Sequence, residues 1–175
     1  MRLTLRRHPE TPCDAVSRIE VAVDRPGAGR LALHYVVTGT IAEVLLPSPA
    51  APIRSDGLWE HSCFEAFLRP TVGSAYLEFN FAPSTQWAAY AFKRYREGRT
   101  DAEVEPSLIE AHAQAESYEL RAVLNSPADM PAKLGLSAII EEMNGRKSYW
   151  ALAHPPGDPD FHHEDCFALQ LPPAA

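Results

Sequence analysis

Sixteen prolines interrupt this chain of 175 residues, and between them apolar side chains recur mostly at every second position rather than along a 3.6-residue stripe. Proline fixes φ and lacks an N–H, so it ends helices and is confined to strand edges. What remains between the prolines is a series of short extended segments. Candidate strands run Arg2–Arg7, Val16–Val23, Arg30–Thr38, Cys63–Arg69, Tyr76–Phe81, Gln86–Arg94, Leu108–Glu116, Tyr118–Asn125, Gly135–Met143, Ser148–His154 and Cys166–Leu171. Short strands with turn signals between them predict an all-β sandwich or barrel. "RPGAG" (25–29) and "NGRK" (144–147) read as hairpin turns, because Gly and Asn tolerate positive φ. "LPSPAAPIRSDG" (46–57) reads as one long ordered loop, and "PADMPAKLG" (127–135) as room for one helical turn.

An apolar fraction of 46% with 22% charged residues is that of a folded globular chain, and the length fits a single domain spanning 1–175. The net charge of −7 argues against nucleic acid and anionic membrane as partners, since both demand clustered cations. No apolar run approaches the length of a membrane-spanning helix, and the basic start "MRLTLRR" is followed by no apolar segment, so the expected location is cytoplasmic. Cys13, Cys63 and Cys166 are too far apart for a CxxC motif and read as free thiols.

Alternation divides the strands into faces. In "YLEFNF", Leu77, Phe79 and Phe81 share one side and build core, leaving Tyr76, Glu78 and Asn80 on the other. In "CFEAFL", Phe64, Ala66 and Leu68 form the core row and Glu65 falls opposite, within reach of Glu78 or Asn80 if the strands pair. Two carboxyls on one face are ligand hydrogen-bonding groups, an acid/base pair of the residue types a glycosidase uses, or solvated or structurally satisfied carboxylates. Trp59 follows the proline loop and Trp87 follows the turn-like "PST", and both are candidates for an exposed aromatic platform; Tyr90 adds a ring beside small alanines.

"AHPPGDPDFHHED" (153–165) gathers His154, Asp158, Asp160, His162, His163, Glu164 and Asp165. These are metal-ligand types, and a metal-dependent hydrolase is the chemistry such a loop would serve. HExxH, HxxEH and spaced CxxC patterns are absent, however, and neighbouring histidines on extended chain point to opposite sides. The alternatives are one or two polar groups lent to a ligand pocket, with His154 and His162 as candidates, or a structural turn network.

"DGLWEHSCFEAFL", "YLEFNFAPSTQWAAYAF" and "SYWALAHPPGDPDFHHEDCFALQL" together resemble the bacterial DOMON-like proteins, a branch of the DOMON superfamily related to family-nine carbohydrate-binding modules. The resemblance implies an antiparallel two-sheet β-sandwich, immunoglobulin-like or jelly-roll, that binds sugars or haem without catalysis. By block position, Trp59, Glu65, Glu78, Asn80 and Trp87 match the clamping rings and hydrogen-bonding groups of sugar-binding relatives, with Tyr90, His154 and His162 added as neighbours. Haem-binding relatives use Met and His as axial ligands, whereas Met130 and Met143 lie outside the three blocks. Calcium is sometimes structural in the carbohydrate-binding relatives, and Asp158 and Asp160 are where it would sit. The expectation is a small-molecule binder, most simply of a sugar, needing no cofactor.

Overall fold

A computed structural model describes residues 1–27, 29–125 and 131–171. Among these residues there is no α-helix. The strands are β1 (Arg2–Arg7), β2 (Val16–Asp24), β3 (Arg30–Gly39), β4 (Cys63–Pro70), β5 (Tyr76–Phe81), β6 (Trp87–Phe92), β7 (Thr100–Asp101), β8 (Pro106–Ala113), β9 (Ser117–Asn125), β10 (Ala132–Glu141), β11 (Lys147–Ala151) and β12 (Leu169–Leu171). Short 3-10 turns lie at Ile41–Glu43, Leu58–Glu60 and Glu164–Cys166. Every expected strand is present within a few residues. Cys166 is an exception in detail, since it sits in a turn and only Leu169–Leu171 extends. Of the segment expected to form a helical turn, 127–130 lies outside the described residues, and the chain from Ala132 is strand.

All pairings between strands are antiparallel, in the order β7-β6-β5-β4-β10-β11-β1-β2-β3-β9-β8, with β12 alongside the start of β10. β1 makes the ladder continuous: Arg2–Leu5 pair with β2, while Arg6 and Arg7 pair with β11. Where two separate sheets were expected, one sheet therefore curls into a half-barrel. Its limbs meet across the core. The Tyr35 hydroxyl on β3 donates to the Glu65 carbonyl on β4 at 2.7 Å, and Phe64 stacks on Tyr118 of β9 at 5.8 Å.

The core holds Phe64, Ala66, Leu68, Phe79 and Phe81 from one limb against Val21, Leu33, Tyr35, Leu120 and Leu124 from the other. Turn residues close the hairpins as expected: Gly29 (φ 67°) before β3 and Gly145 (φ 81°) between β10 and β11 occupy the left-handed region that favours glycine. The chain between β3 and β4 returns as an irregular loop against β6, where Trp87 N–H donates to Ile53 O and Ser55 N–H to Trp87 O.

The opposite face of β4, β5, β6 and β10 is not left to solvent. Phe67, Tyr76, Tyr90, Phe92 and Ile139 rise from it and pack against Phe161 and Phe167, which come from the chain after β11, and against Trp59. Gly135 permits this approach, because a Cβ there would lie 3.0 Å from the Cys166 carbonyl oxygen and 3.4 Å from Phe67 Cβ. The histidine-rich segment is thus a cover over the sheet.

A candidate ligand-binding cavity

Register explains what lies beneath this cover. Glu65 is paired with Asn80 on one side and Ser137 on the other, and Phe67 with Glu78 and Gly135; Glu78 in turn opposes Tyr90. Pairing residues cross the sheet on one face, so Glu65, Glu78, Asn80 and Ser137 form a continuous polar patch. Above it is a cavity of about 420 Å³, walled by Trp59, Phe67, Phe92, Tyr149, Phe161 and His162, with the exposed Arg96 and Arg99 on its solvent side.

The polar patch is wired internally. Ser137 Oγ donates to Glu65 Oε2 at 3.0 Å, Asn80 Nδ2 donates to Glu78 Oε1 at 2.7 Å, and the Cys63 thiol faces Asn80 Oδ1 at 3.7 Å. Glu65 and Glu78 are only 3% and 6% exposed. Burial, then the charge on Glu78, pushes the Glu65 carboxyl up to about 8 against the opposing hydrogen bond from Ser137. Glu78 is raised too, by burial, but the Asn80 hydrogen bond and the Arg99 and Arg96 charges hold it back. Near neutral pH Glu65 therefore keeps its proton, and of the two carboxyls Glu78 is the one whose hydrogen bond and neighbouring guanidinium groups favour the charged form.

His162 stands over Glu78. Burial and the charge on Arg96 bring its imidazole down to about 4, with Asp160 partly offsetting them, so the ring is neutral. The Tyr76 hydroxyl accepts from the Arg96 backbone N–H (3.1 Å), leaving its own proton for His162 Nδ1 at 2.7 Å. That assigns the imidazole proton to Nε2, which is 3.7 Å from Glu78 Oε2. The cavity thus offers a carboxylate acceptor, a carboxylic acid, an imidazole N–H and two guanidinium groups on aromatic walls.

The structure sorts the expected residues. Trp59, Glu65, Glu78 and His162 line the cavity together. Asn80 is wholly buried beneath Glu78 and orients it. Tyr90 lies behind the wall, its hydroxyl donating to Asp56 Oδ1 at 2.6 Å and its ring meeting Trp59 edge-on at 5.8 Å. Trp87 is a correction: it is 6% exposed and belongs to the core. It opposes Phe81, so alternation puts it on the Phe79 and Phe81 side, away from Tyr90 and Phe92. Its indole N–H donates to Pro52 O at 3.2 Å and Arg54 lies over its ring. His154 is also elsewhere: its Nε2 meets the Arg6 carbonyl at 2.8 Å and its ring contacts His8. Trp59 does not present a bare face, because the Arg99 guanidinium lies 5.7 Å from its ring centre.

The metal-ligand types disperse. His163 Nδ1 accepts from the Asp165 N–H, while Asp160 takes hydrogen bonds from the Tyr95 hydroxyl, Arg96 and the His162 N–H. Asp160 is thereby committed, and Asp158, the other expected calcium ligand, is exposed. His61 reaches Glu141 at 2.7 Å, away from Cys63. No group of three His, Cys, Asp or Glu side chains suited to a metal ion forms among the described residues. Met143 is 63% exposed on the β10–β11 turn and is not part of the cavity; Met130 lies outside the described residues. Sequence reasoning missed Arg96 and Arg99, although "FKRYREGR" (92–99) places cations directly after the aromatic strand, while Phe67 and Phe92, which alternation aligns with Glu65 and Tyr90, are legible on these faces but are not among its named site residues.

No protein-family model matches the sequence, and no curated protein does. Among solved structures, the fold is similar to a crystal structure of a "putative carbohydrate-binding protein" from Bacteroides uniformis ATCC 8492. The TM-score is 0.66 at 17% identity, covering 95% of this chain and 83% of that one. At that identity the likeness is one of fold.

Proposed function

We propose that this protein is a non-catalytic binding module for a carbohydrate or sugar-like small molecule, of the DOMON-like kind that its three sequence blocks resemble. The observation that carries the reading is the buried Glu65, Glu78, Asn80 and Ser137 patch at the floor of an aromatic-walled cavity. A sugar ring combines apolar C–H faces with hydroxyls that both donate and accept. Apolar walls with a few fixed polar groups are what such a ligand needs, and about 420 Å³ is within the usual range for small-molecule sites. The fold shared with the Bacteroides uniformis protein is in keeping with this role.

Titration calorimetry against a panel of mono- and disaccharides tests it. Saturable binding is expected, weakened by Glu78→Gln by about 1.5 to 3 kcal/mol, the range for a hydrogen bond to a charged group. Silence across the panel would remove the reading. One observation favours a second: neighbouring carboxyls in unlike surroundings, Glu65 pushed up by burial and Glu78 held back by Asn80, Arg99 and Arg96, are the acid/base pattern of glycoside hydrolysis. Turnover of aryl glycosides that disappears in Glu65→Gln would replace binding with catalysis.

A further inference from the structure

The chain leaving β6 folds into a tight turn, with Lys93 N–H donating to Glu97 O (3.0 Å) and Glu97 N–H to Arg94 O (2.9 Å). Arg96 has φ of 54°, an uncommon conformation for a residue with a side chain. It is held there by the Tyr76 hydroxyl on its N–H and by Asp160 Oδ1, 2.8 Å from its guanidinium. Gly98 (φ +66°) completes the reversal, at a place where a Cβ would meet the Lys93 side chain at 2.9 Å. The result is that Arg96 and Arg99 both reach the cavity opening.

Their situations differ. Arg96 is neutralised by Asp160. Arg99 is spread over Tyr90 and Trp59, with its guanidinium carbon 5.0 and 5.7 Å from the ring centres, and among the described residues no carboxylate forms an ion pair with it. A guanidinium stacked on aromatic faces is fixed in direction while the N–H groups at its edge stay open. Such an edge matches a planar carboxylate in two parallel hydrogen bonds.

We infer that the ligand is an anionic sugar carrying a single carboxylate, a uronate, whose acid group is taken by Arg99 at the opening while its hydroxyls face Glu78 and Glu65. This rests on the carbohydrate reading and specifies it. A neutral sugar would leave the oriented cation at the opening unused, and a cationic ligand would meet two guanidinium groups on entry. The Arg99 guanidinium, held flat over Tyr90 and Trp59, presents one edge, and one edge matches one planar carboxylate.

Calorimetry at neutral pH and low salt should compare D-glucuronate and D-galacturonate with D-glucose and D-galactose, and with glucose 6-phosphate. The expected result is that one uronate binds roughly 10- to 100-fold tighter than its parent hexose, the span of a charge-assisted hydrogen bond. Arg99→Gln, whose exposed position keeps folding intact by circular dichroism, should bring that ratio close to one, and Arg99→Lys should restore part of it. A parent hexose binding as tightly as the uronate, or a ratio that survives Arg99→Gln, overturns the inference and leaves the carbohydrate reading standing. Preference for the sugar phosphate overturns the carboxylate assignment. If no sugar binds, charged or neutral, the carbohydrate reading falls and this inference with it.

Discussion

Replacing Glu65 by glutamine should make the protein more stable at neutral pH, an unusual direction for a change at a buried polar residue. The folded carboxyl is pushed up to about 8 from an ordinary value of 4.5. Between those limits the unfolded chain has released this proton and the folded chain has kept it. Stability from this group is accordingly complete below pH 4.5 and is lost as pH rises through about 8. Each unit of difference is worth about 1.4 kcal/mol, so the loss amounts to about 3 kcal/mol at pH 7 and about 5 kcal/mol above pH 8. Glutamine has the same shape, cannot ionise, and keeps an oxygen for the Ser137 hydroxyl.

Urea unfolding of both proteins at pH 5, 6, 7 and 8 reads the difference directly. The wild-type curve should fall with pH while the Glu65→Gln curve stays flatter, with a gap that opens to about 3 kcal/mol by pH 7. Parallel curves would refute the reasoning, because Glu65 would then ionise as an ordinary carboxylate. The proton is shared by a pair of neighbouring acids, which supplies an internal control. Glu78→Gln removes the second cause of the Glu65 shift and should narrow the pH dependence without abolishing it.

Phe79→Ala, at a ring 1% exposed in the core, should cost about 3 to 5 kcal/mol by chemical denaturation; a loss below about 1 kcal/mol would mean that the strand's faces were misassigned. Trp87→Ala should also destabilise by about 3 to 5 kcal/mol while leaving the affinity for any sugar bound in the cavity unchanged, since the ring packs on the other side of the sheet. Glu142 is held down to about 2 by its hydrogen bond with Arg146 and by the backbone N–H groups of Ala15 and Asp14. Its stabilising effect is present above pH 4.5 and lost as pH falls toward 2, so Glu142→Gln should flatten the acid limb of stability and do little to the alkaline limb.

The strands were readable because their pattern is local. Period-two alternation needs only neighbouring residues, and it separated Phe79 and Phe81 from Glu78 and Asn80 correctly. The same rule applied strictly would have put Trp87 with Ala89 in the core, but its position after a turn favoured an exposed platform. What alternation cannot convey is which face stays wet. The Glu65 face is covered by Phe161, Phe167 and His162, from a segment about a hundred residues further along the chain, and only the curl of the sheet and the missing side chain of Gly135 bring them there. Arg99 was invisible for a related reason: its significance comes from the two rings beneath it, one on β6 and the other on the Leu58–Glu60 turn.

The unequal sharing of one proton also bears on what the cavity can recognise. Ser137 donates to Glu65 Oε2, which leaves Oε1 free to carry the acid proton. Glu65 then offers a donor beside the Glu78 carboxylate, which can only accept. Two adjacent hydroxyls on a ring can satisfy that pair together, one accepting from Glu65 and the other donating to Glu78, whereas two carboxylates can only accept and give the ring oxygens no donor. On the proposed reading, affinity for a sugar should therefore fall as pH rises past about 8, where Glu65 ionises, and the fall should be absent in Glu65→Gln. Calorimetry from pH 6 to pH 9 with the tightest-binding sugar measures this. An affinity that holds through pH 9 in the wild type would show that the ligand takes nothing from the Glu65 proton, and would shift recognition to Glu78 and the guanidinium groups at the opening.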